Sequence, residues 1–267
     1  MGWFKEEAMP TNVFSTYNKN TYLDWHKEQV DNDCELEAEV VSFRQELKDN
    51  SSTDLNSLGQ LLSQIKAITE PECKLQSGGL LTGEFFLPLG QISQNSDVLY
   101  KSEDSIIEKL WRKNSTRNSN YVGLTNLQQE INDLVRTSVV CPTLQQAKMY
   151  SERLEAWMSF IPEDARNQHF SEIVSVEVDK EAKAASGYFA YHSLVRFKSG
   201  LVVEVQLYSQ LSSAWRNLSH VLYEKSRVGN HTNAKPGSAD ARMVSLGHML
   251  HLAECELDRL VDEFKPK

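Results

Sequence analysis

The sequence has no long apolar run. Segments such as Leu201-Val202-Val203 and Phe85-Phe86-Leu87 fall far short of the roughly 20 residues that cross a bilayer. Met1 to Pro10 also lacks a basic segment followed by an apolar one, so neither a membrane span nor a secretory leader is expected. Cysteines are few and scattered: Cys34, Cys73, Cys141 and Cys255 form no CxxC pair. That disfavours a zinc knuckle or a disulfide framework and suits a reducing, cytoplasmic compartment. An excess of basic charge is missing too. With 28 Lys+Arg against 37 Asp+Glu the formal net charge is −9, which argues against a broad electrostatic grip on nucleic acid and leaves room only for a local basic groove.

What is present is foldable. Hydrophobic residues make up 40% of 267, enough to build the core of one large domain or two small ones. From Tyr22 to Leu47, apolar residues among many charges predict one or two amphipathic helices ending near Asp49-Asn50-Ser51-Ser52. A helix capped by Asp54 is expected to run to Ile68, with Pro71 beyond its end, followed by a loop or short hairpin from Ser77 to Gly90. Ser102 to Lys113 reads as a further helix with Ile106, Ile107, Leu110 and Trp111 along its apolar side. On its other side Lys101, Ser105, Lys109 and Lys113 recur at four-residue spacing. Such a row is either a solvated face or a phosphate-binding one.

Next come a strand over Leu134 to Cys141 opened by Asp133, a helix over Gln145 to Phe160, and a strand over Ile173 to Val178. Tyr188 to Lys198 and Leu201 to Tyr208, joined by Lys198-Ser199-Gly200, predict an antiparallel hairpin. Val202, Glu204, Gln206 and Tyr208 share one face of its second strand. Helices over Ser212 to Ser226 and Ala239 to Phe264 follow, separated by a polar stretch, Gly229 to Gly237. The order of elements predicts an α+β fold: a mixed sheet with helices packed on it, a helical N-terminal extension over residues 1–94, and a domain over 95–267 ending in a long C-terminal helix.

Two carboxylates occupy unusual positions, Asp133 at the entrance of an apolar strand and Glu204 between valines. A carboxylate on a half-buried strand costs desolvation unless it meets a cation or a metal. Two converging from neighbouring strands would suit magnesium bridged to phosphates; a Glu204 pointing to solvent from a one-sided sheet and an Asp133 capping a turn is the plainer alternative. Tyr188 and His192, four apart, can face the same side, one a platform for a base and the other a donor to phosphate or ribose. His248 and His251 are expected to be surface residues of the last helix.

Together these segments resemble the RelA/SpoT synthetase family. The carriers are Ser186-Gly187-Tyr188-Phe189-Ala190-Tyr191-His192, then Val203-Glu204-Val205-Gln206-Leu207, then Ala214-Trp215-Arg216-Asn217-Leu218-Ser219-His220, preceded by the helix from Lys101 to Leu110 and by Asp133-Leu134-Val135. The resemblance implies a nucleotidyltransferase-like sheet on which ATP donates its β,γ-pyrophosphate to the 3′-hydroxyl of GDP or GTP, making (p)ppGpp-type alarmones. It further implies that Asp133 and Glu204 hold Mg2+ and that Glu204 helps remove the acceptor proton. Tyr188 would stack on the acceptor base; Lys101, Ser105, Lys109 and His192 would contact phosphates; Gln206 and His220 complete the nucleotide-binding set. Such chemistry needs positioning and charge neutralisation more than covalent help. The chain departs from the family pattern at Leu99, Ser138, Phe189 and Tyr208, where arginine is usual, and it has no His-Asp dipeptide, so the family's hydrolase activity is not expected. An adenine nucleotide or the 3′ end of tRNA as acceptor, tRNA being disfavoured by the acidic charge, and a nucleotide-binding module without catalysis are the alternatives. Partners implied are ATP, a guanine nucleotide and further copies of the chain in a homo-oligomer.

Overall fold

A row of β-branched residues at Val135, Val139, Val195, Val203 and Val205 builds the sheet, and leucine-rich helices cover it. The computed structural model describes residues 13–179, 187–226 and 237–266, with the backbone alone for residues 220 and 222–226. In chain order it shows α1 (Lys19–Gln29), α2 (Leu36–Asn50), α3 (Ser52–Gln76), α4 (Leu89–Ser93), α5 (Glu103–Asn114) and the single turn α6 (Leu127–Glu130). Strand β1 (Val135–Cys141) follows, then α7 (Leu144–Glu155), α8 (Trp157–Phe160) and α9 (Glu163–His169). The remaining elements are β2 (Ile173–Asp179), β3 (Tyr191–Phe197), β4 (Val202–Ser209), α10 (Gln210–Ser226) and α11 (Ala239–Phe264). No described helix is long and apolar enough to cross a membrane.

The chain divides into two compact units, one of residues 1–49 and 101–131, the other of residues 50–100 and 132–267. In the first, α1, α2 and α5 enclose Tyr22, Val40, Ile106, Ile107 and Leu110, all at most 1% exposed. Aromatic rings add to this core, with Trp25 at 4.8 Å from Phe14 and 4.9 Å from Tyr121, edge to face. The buried Asn114 amide donates to the Tyr22 hydroxyl (2.9 Å) and the Val122 carbonyl, and accepts from the Val122 amide (2.7 Å). That satisfies a polar group which would otherwise be costly to bury.

The second unit holds the predicted mixed sheet. Its four-stranded sheet has the order β1-β4-β3-β2, with β1 parallel to β4 and the other pairs antiparallel. Helix α7 crosses one face and α3 packs on α7; the Tyr150 hydroxyl, for example, donates to the Leu62 carbonyl at 2.5 Å. Both faces of β4 are buried except at Val202, because β4 is central and α10 covers its other side. The expected one-sided strand is therefore corrected, and with it the plainer alternative of a solvent-facing Glu204.

Helix α3 also departs from expectation. It runs through Pro71 to Gln76 and starts at Ser52, so that Asp54 lies inside the first turn and accepts from Ser199 Oγ at 2.5 Å instead of capping. Pro71 has no N–H for the Ala67 carbonyl one turn earlier, but Ala67 is exposed to water. Beyond the proline, Cys73 is buried beside Met149 and Glu72 pairs with Arg153, contacts that hold the last turn. The helix predicted over Gln145 to Phe160 breaks at Ala156, where the chain turns so that Trp157 buries itself edge-on against Phe170 at 5.9 Å. Helices α4 and α9 have no counterpart in the sequence reading. The polar stretch predicted at Gly229 to Gly237 lies, up to residue 236, outside the described residues.

Helix α11 abuts the segment before β3 at two glycines. Gly187 takes φ +72°, and a Cβ on Gly247 would stand 2.2 Å from the Gly187 carbonyl oxygen, a distance no side chain tolerates. One turn beyond the next, α11 buries Glu254 (2% exposed) near Ser209. Burial pushes this carboxyl up to about 7, Asp258 adds to the rise and Ser209 opposes it.

Two outcomes follow from this packing. Gly247→Ala lowers the free energy of unfolding by about 1–3 kcal/mol, since overpacking forces backbone shifts, whereas Gly90→Ala, with nothing within 4 Å, stays within about 0.5 kcal/mol; equal effects in denaturant titrations contradict the close approach. Glu254 keeps its proton in the folded chain up to about pH 7 but loses it near 4.5 when unfolded, so the folded state binds more protons between these values and loses stability as pH rises. Glu254→Gln therefore gains on the order of 2–3 kcal/mol over the parent between pH 4.5 and pH 8; a gain that does not grow with pH refutes it.

Candidate active site

Strand register brings the sheet-borne candidates together. Residues paired across the sheet share a face, and Glu204 lies opposite Arg136 on β1 and Leu194 on β3, while Gln206 lies opposite Ser138 and His192. Glu204 is 9% exposed and Gln206 7%. His192 donates from Nδ1 to Glu204 Oε1 at 2.8 Å, and Gln206 Nε2 donates to Glu204 Oε2 at 3.3 Å. With Nδ1 so engaged, Nε2 of His192 faces the Tyr188 hydroxyl at 3.3 Å. Arg216, from the second turn of α10, donates through Nη2 to Gln206 Oε1 at 2.8 Å and lies over the Tyr208 ring at 5.4 Å.

These groups set each other's charge. Burial by itself would raise the Glu204 carboxyl, and nearby Asp133 acts in the same sense; the hydrogen bond and charge of His192, with help from Gln206, outweigh both and leave it lowered. Glu204 is thus an ionised, desolvated carboxylate at neutral pH. Tyr188 is pushed up by burial, with Glu204 and Tyr208 adding to the rise and Arg216 opposing it, so it stays a neutral phenol. Its ring packs edge-on to His192 (5.8 Å) and tilted against Trp215 (6.1 Å). Trp215 is anchored by its indole N–H to the Met243 carbonyl at 2.8 Å, so α11 steadies the platform.

Asp133 sits in the turn that enters β1, half-buried and near enough to Glu204 to act on its ionisation. No group of three His, Cys, Asp or Glu side chains able to hold a metal occurs among the described residues. A pair of carboxylates does fit magnesium, which takes one or two protein carboxylates and fills its other positions with water and phosphate oxygens. Both Glu204 oxygens keep a further lone pair beyond their single hydrogen bonds.

The lysine row belongs to the first unit. Lys101 precedes α5 and is 8% exposed, not on a solvated face; its carbonyl accepts from Arg44 Nε at 3.0 Å. Ser105 accepts from Ser102 Oγ at 2.9 Å, and Lys109 is half-buried one turn on. His220 lies on α10, but its side chain is outside the described residues. His248 and His251 are not plain surface residues: Phe189 stacks on His251 at 3.8 Å and meets His248 edge-on at 5.7 Å.

The sequence reading passed over Arg216 as a site residue and Asp179, which pairs with His192 across the sheet. A usable signal existed for Arg216. Helix α10 starts at Gln210, directly after β4 ends at Ser209, so its first two turns must hang over the strand they leave.

Against known proteins, residues 99–228 match the model described as "Region found in RelA / SpoT proteins". No curated protein matches. Among solved structures, a GTP pyrophosphokinase family protein from Streptococcus pneumoniae is 16% identical, with a TM-score of 0.46 over 77% of this chain and 90% of that one. The small alarmone synthetase 1 from Bacillus subtilis is 19% identical, with a TM-score of 0.45 over 76% of this chain and 95% of that one. At this level of likeness neither structure bears on the chemistry.

Arg216 and Gln206 share one hydrogen bond, so their losses overlap. Arg216→Ala costs about 1–3 kcal/mol of unfolding free energy, and the double variant with Gln206→Ala falls short of the sum by about 0.5–2 kcal/mol. Strict additivity in denaturant titrations contradicts the bond.

Proposed function

From the match of residues 99–228 to the region found in RelA/SpoT proteins, we propose that the chain transfers the β,γ-pyrophosphoryl group of ATP to the 3′-hydroxyl of GDP or GTP. The observation that carries the reading is Glu204: an ionised carboxylate on a central strand, aligned by His192 and Gln206 and accompanied by Asp133. A buried, ionised carboxylate held in place by two donors is positioned to take a proton or meet a cation.

In this reading the 3′-oxygen bonds to the β-phosphorus of ATP while the bond from that phosphorus to the α,β-bridging oxygen breaks, releasing AMP. Glu204 accepts the hydrogen bond of the 3′-hydroxyl, takes its proton as the new bond forms and returns it to solvent. His192 fixes the carboxylate's orientation through Nδ1, so that little reorganisation is left for the moment of transfer. Asp133 and Glu204 would hold magnesium, which supplies neutralisation of phosphate charge when bound. Tyr188, kept neutral and braced by Trp215, offers its ring to the acceptor base. Arg216 adds a fixed positive charge to the face that Arg136 of β1 shares and suits an acceptor phosphate. Lys101, just before α5, and Ser105 and Lys109 on it stay the candidate phosphate contacts.

Incubating the purified chain with γ-labelled ATP, magnesium and one acceptor at a time tests this, with GDP, GTP, adenine nucleotides and bulk tRNA as the arms. Label is expected on the guanine nucleotides, and Glu204→Gln lowers the rate by about 100-fold or more with little change in melting temperature. Label on another acceptor overturns the guanine assignment, and label on none overturns transfer itself.

A further inference from the structure

Strand β1 carries a single charged side chain, Arg136. Alternation puts Val135, Thr137, Val139 and Cys141 on the side that α7 covers, and leaves Arg136, Ser138 and Val140 half-buried on the face of Glu204 and Gln206. Among the described residues the Arg136 guanidinium makes no ion pair and no hydrogen bond. The carboxylate beside it in register, Glu204, is bonded to His192 and Gln206 instead. The other arginines over this face are engaged: Arg196 pairs with Glu177, and Arg216 donates to Gln206. A planar fork of five N–H donors, left open beside an ionised carboxylate, matches phosphate oxygens, which it takes through two parallel hydrogen bonds.

We infer that Arg136 binds the phosphoryl group in transit from the donor, so that Arg136 and Arg216 divide the two substrates between them; this rests on the transfer reading given above. Glu204, which receives the acceptor's proton in that reading, marks the boundary. The groups assigned to the acceptor lie from Gln206 onward along β4. His192 is opposite Gln206, Tyr188 comes before Tyr191, which is opposite Leu207, and Arg216 bonds Gln206. Arg136 stands on the other flank, on β1 and level with Glu204, with Asp133 just ahead of it in the chain. In an in-line displacement the attacking and leaving oxygens face each other across the phosphorus. An acceptor held toward Gln206 therefore sets the donor phosphates toward Arg136. As charge builds on the non-bridging oxygens during transfer, a guanidinium with no protein partner meets it without first breaking another bond.

The test is titration of the full chain, with magnesium, by α,β-methylene ATP, whose scissile bridge cannot break, together with steady-state kinetics on the acceptor the chain uses. Arg136→Ala is expected to weaken binding of the analogue about tenfold or more. It also lowers kcat about 100-fold, with the acceptor KM and the melting temperature little changed. Arg216→Ala shows the opposite split, raising the acceptor KM and leaving analogue binding near the parent's. Arg136→Lys restores the charge without the fork and recovers only part of the loss, and added guanidinium ion at low millimolar concentration speeds Arg136→Ala but not the parent. Equal analogue binding by the parent and Arg136→Ala overturns the assignment whether or not transfer occurs, and so does a defect confined to the acceptor KM. Analogue binding that depends on Arg136, with no label passed to any acceptor, upholds the donor assignment and overturns the transfer reading. A parent that fails to bind the analogue overturns both.

Discussion

The second unit is organised around one awkward object, a carboxylate placed in the middle of a central strand. Glu204 has β1 on one side and β3 on the other, so it cannot reach bulk water by bending away. Desolvation alone would favour its neutral form. His192, directly bonded at 2.8 Å, reverses that preference, and its other nitrogen ties Tyr188 to the same charge. Gln206 and Arg216 continue the chain of donors on the far side.

The surrounding architecture serves the same group. A strand covered on both faces needs helices on both sides, and α10 supplies the second cover directly from the end of β4, bringing Arg216 and Trp215 over the site face. Helix α11 then locks Trp215 through the Met243 carbonyl and fixes the backbone before Tyr188 through the Gly187–Gly247 contact. The glycine that precedes Tyr188 is thus explained by close approach and a positive φ, and the tryptophan by its anchoring hydrogen bond. Both are packing reasons for residues that also carry the family resemblance.

Much of this was legible in the sequence because it is periodic or local. Alternation announced β4 and its pairing with β3, the three-to-four-residue spacing announced α5 and α11, and the shared face of Glu204 and Gln206 followed from period two. What alternation cannot announce is the neighbour: burial of Glu204 on both sides depends on β1 arriving parallel to β4 across a long separation in sequence. The same limit hid Asp179, which meets His192 only through the β2–β3 register. Pro71 misled because its local cost is offset by tertiary contacts of Cys73 and Glu72, and Ala156 because the break serves Trp157 rather than any local signal. His248 and His251 looked like surface residues since nothing in their own helix reveals Phe189 lying across them.

The central claim is that His192 holds Glu204 ionised against its burial. It is tested most directly by a carbon-13 NMR titration of the Glu204 side-chain carboxyl, assigned by its loss in Glu204→Gln. The account predicts a midpoint below that of an ordinary glutamate in the parent chain and an upward move in His192→Ala, where burial acts unopposed. A midpoint at or above the ordinary value in the parent, or one unchanged in His192→Ala, would contradict it.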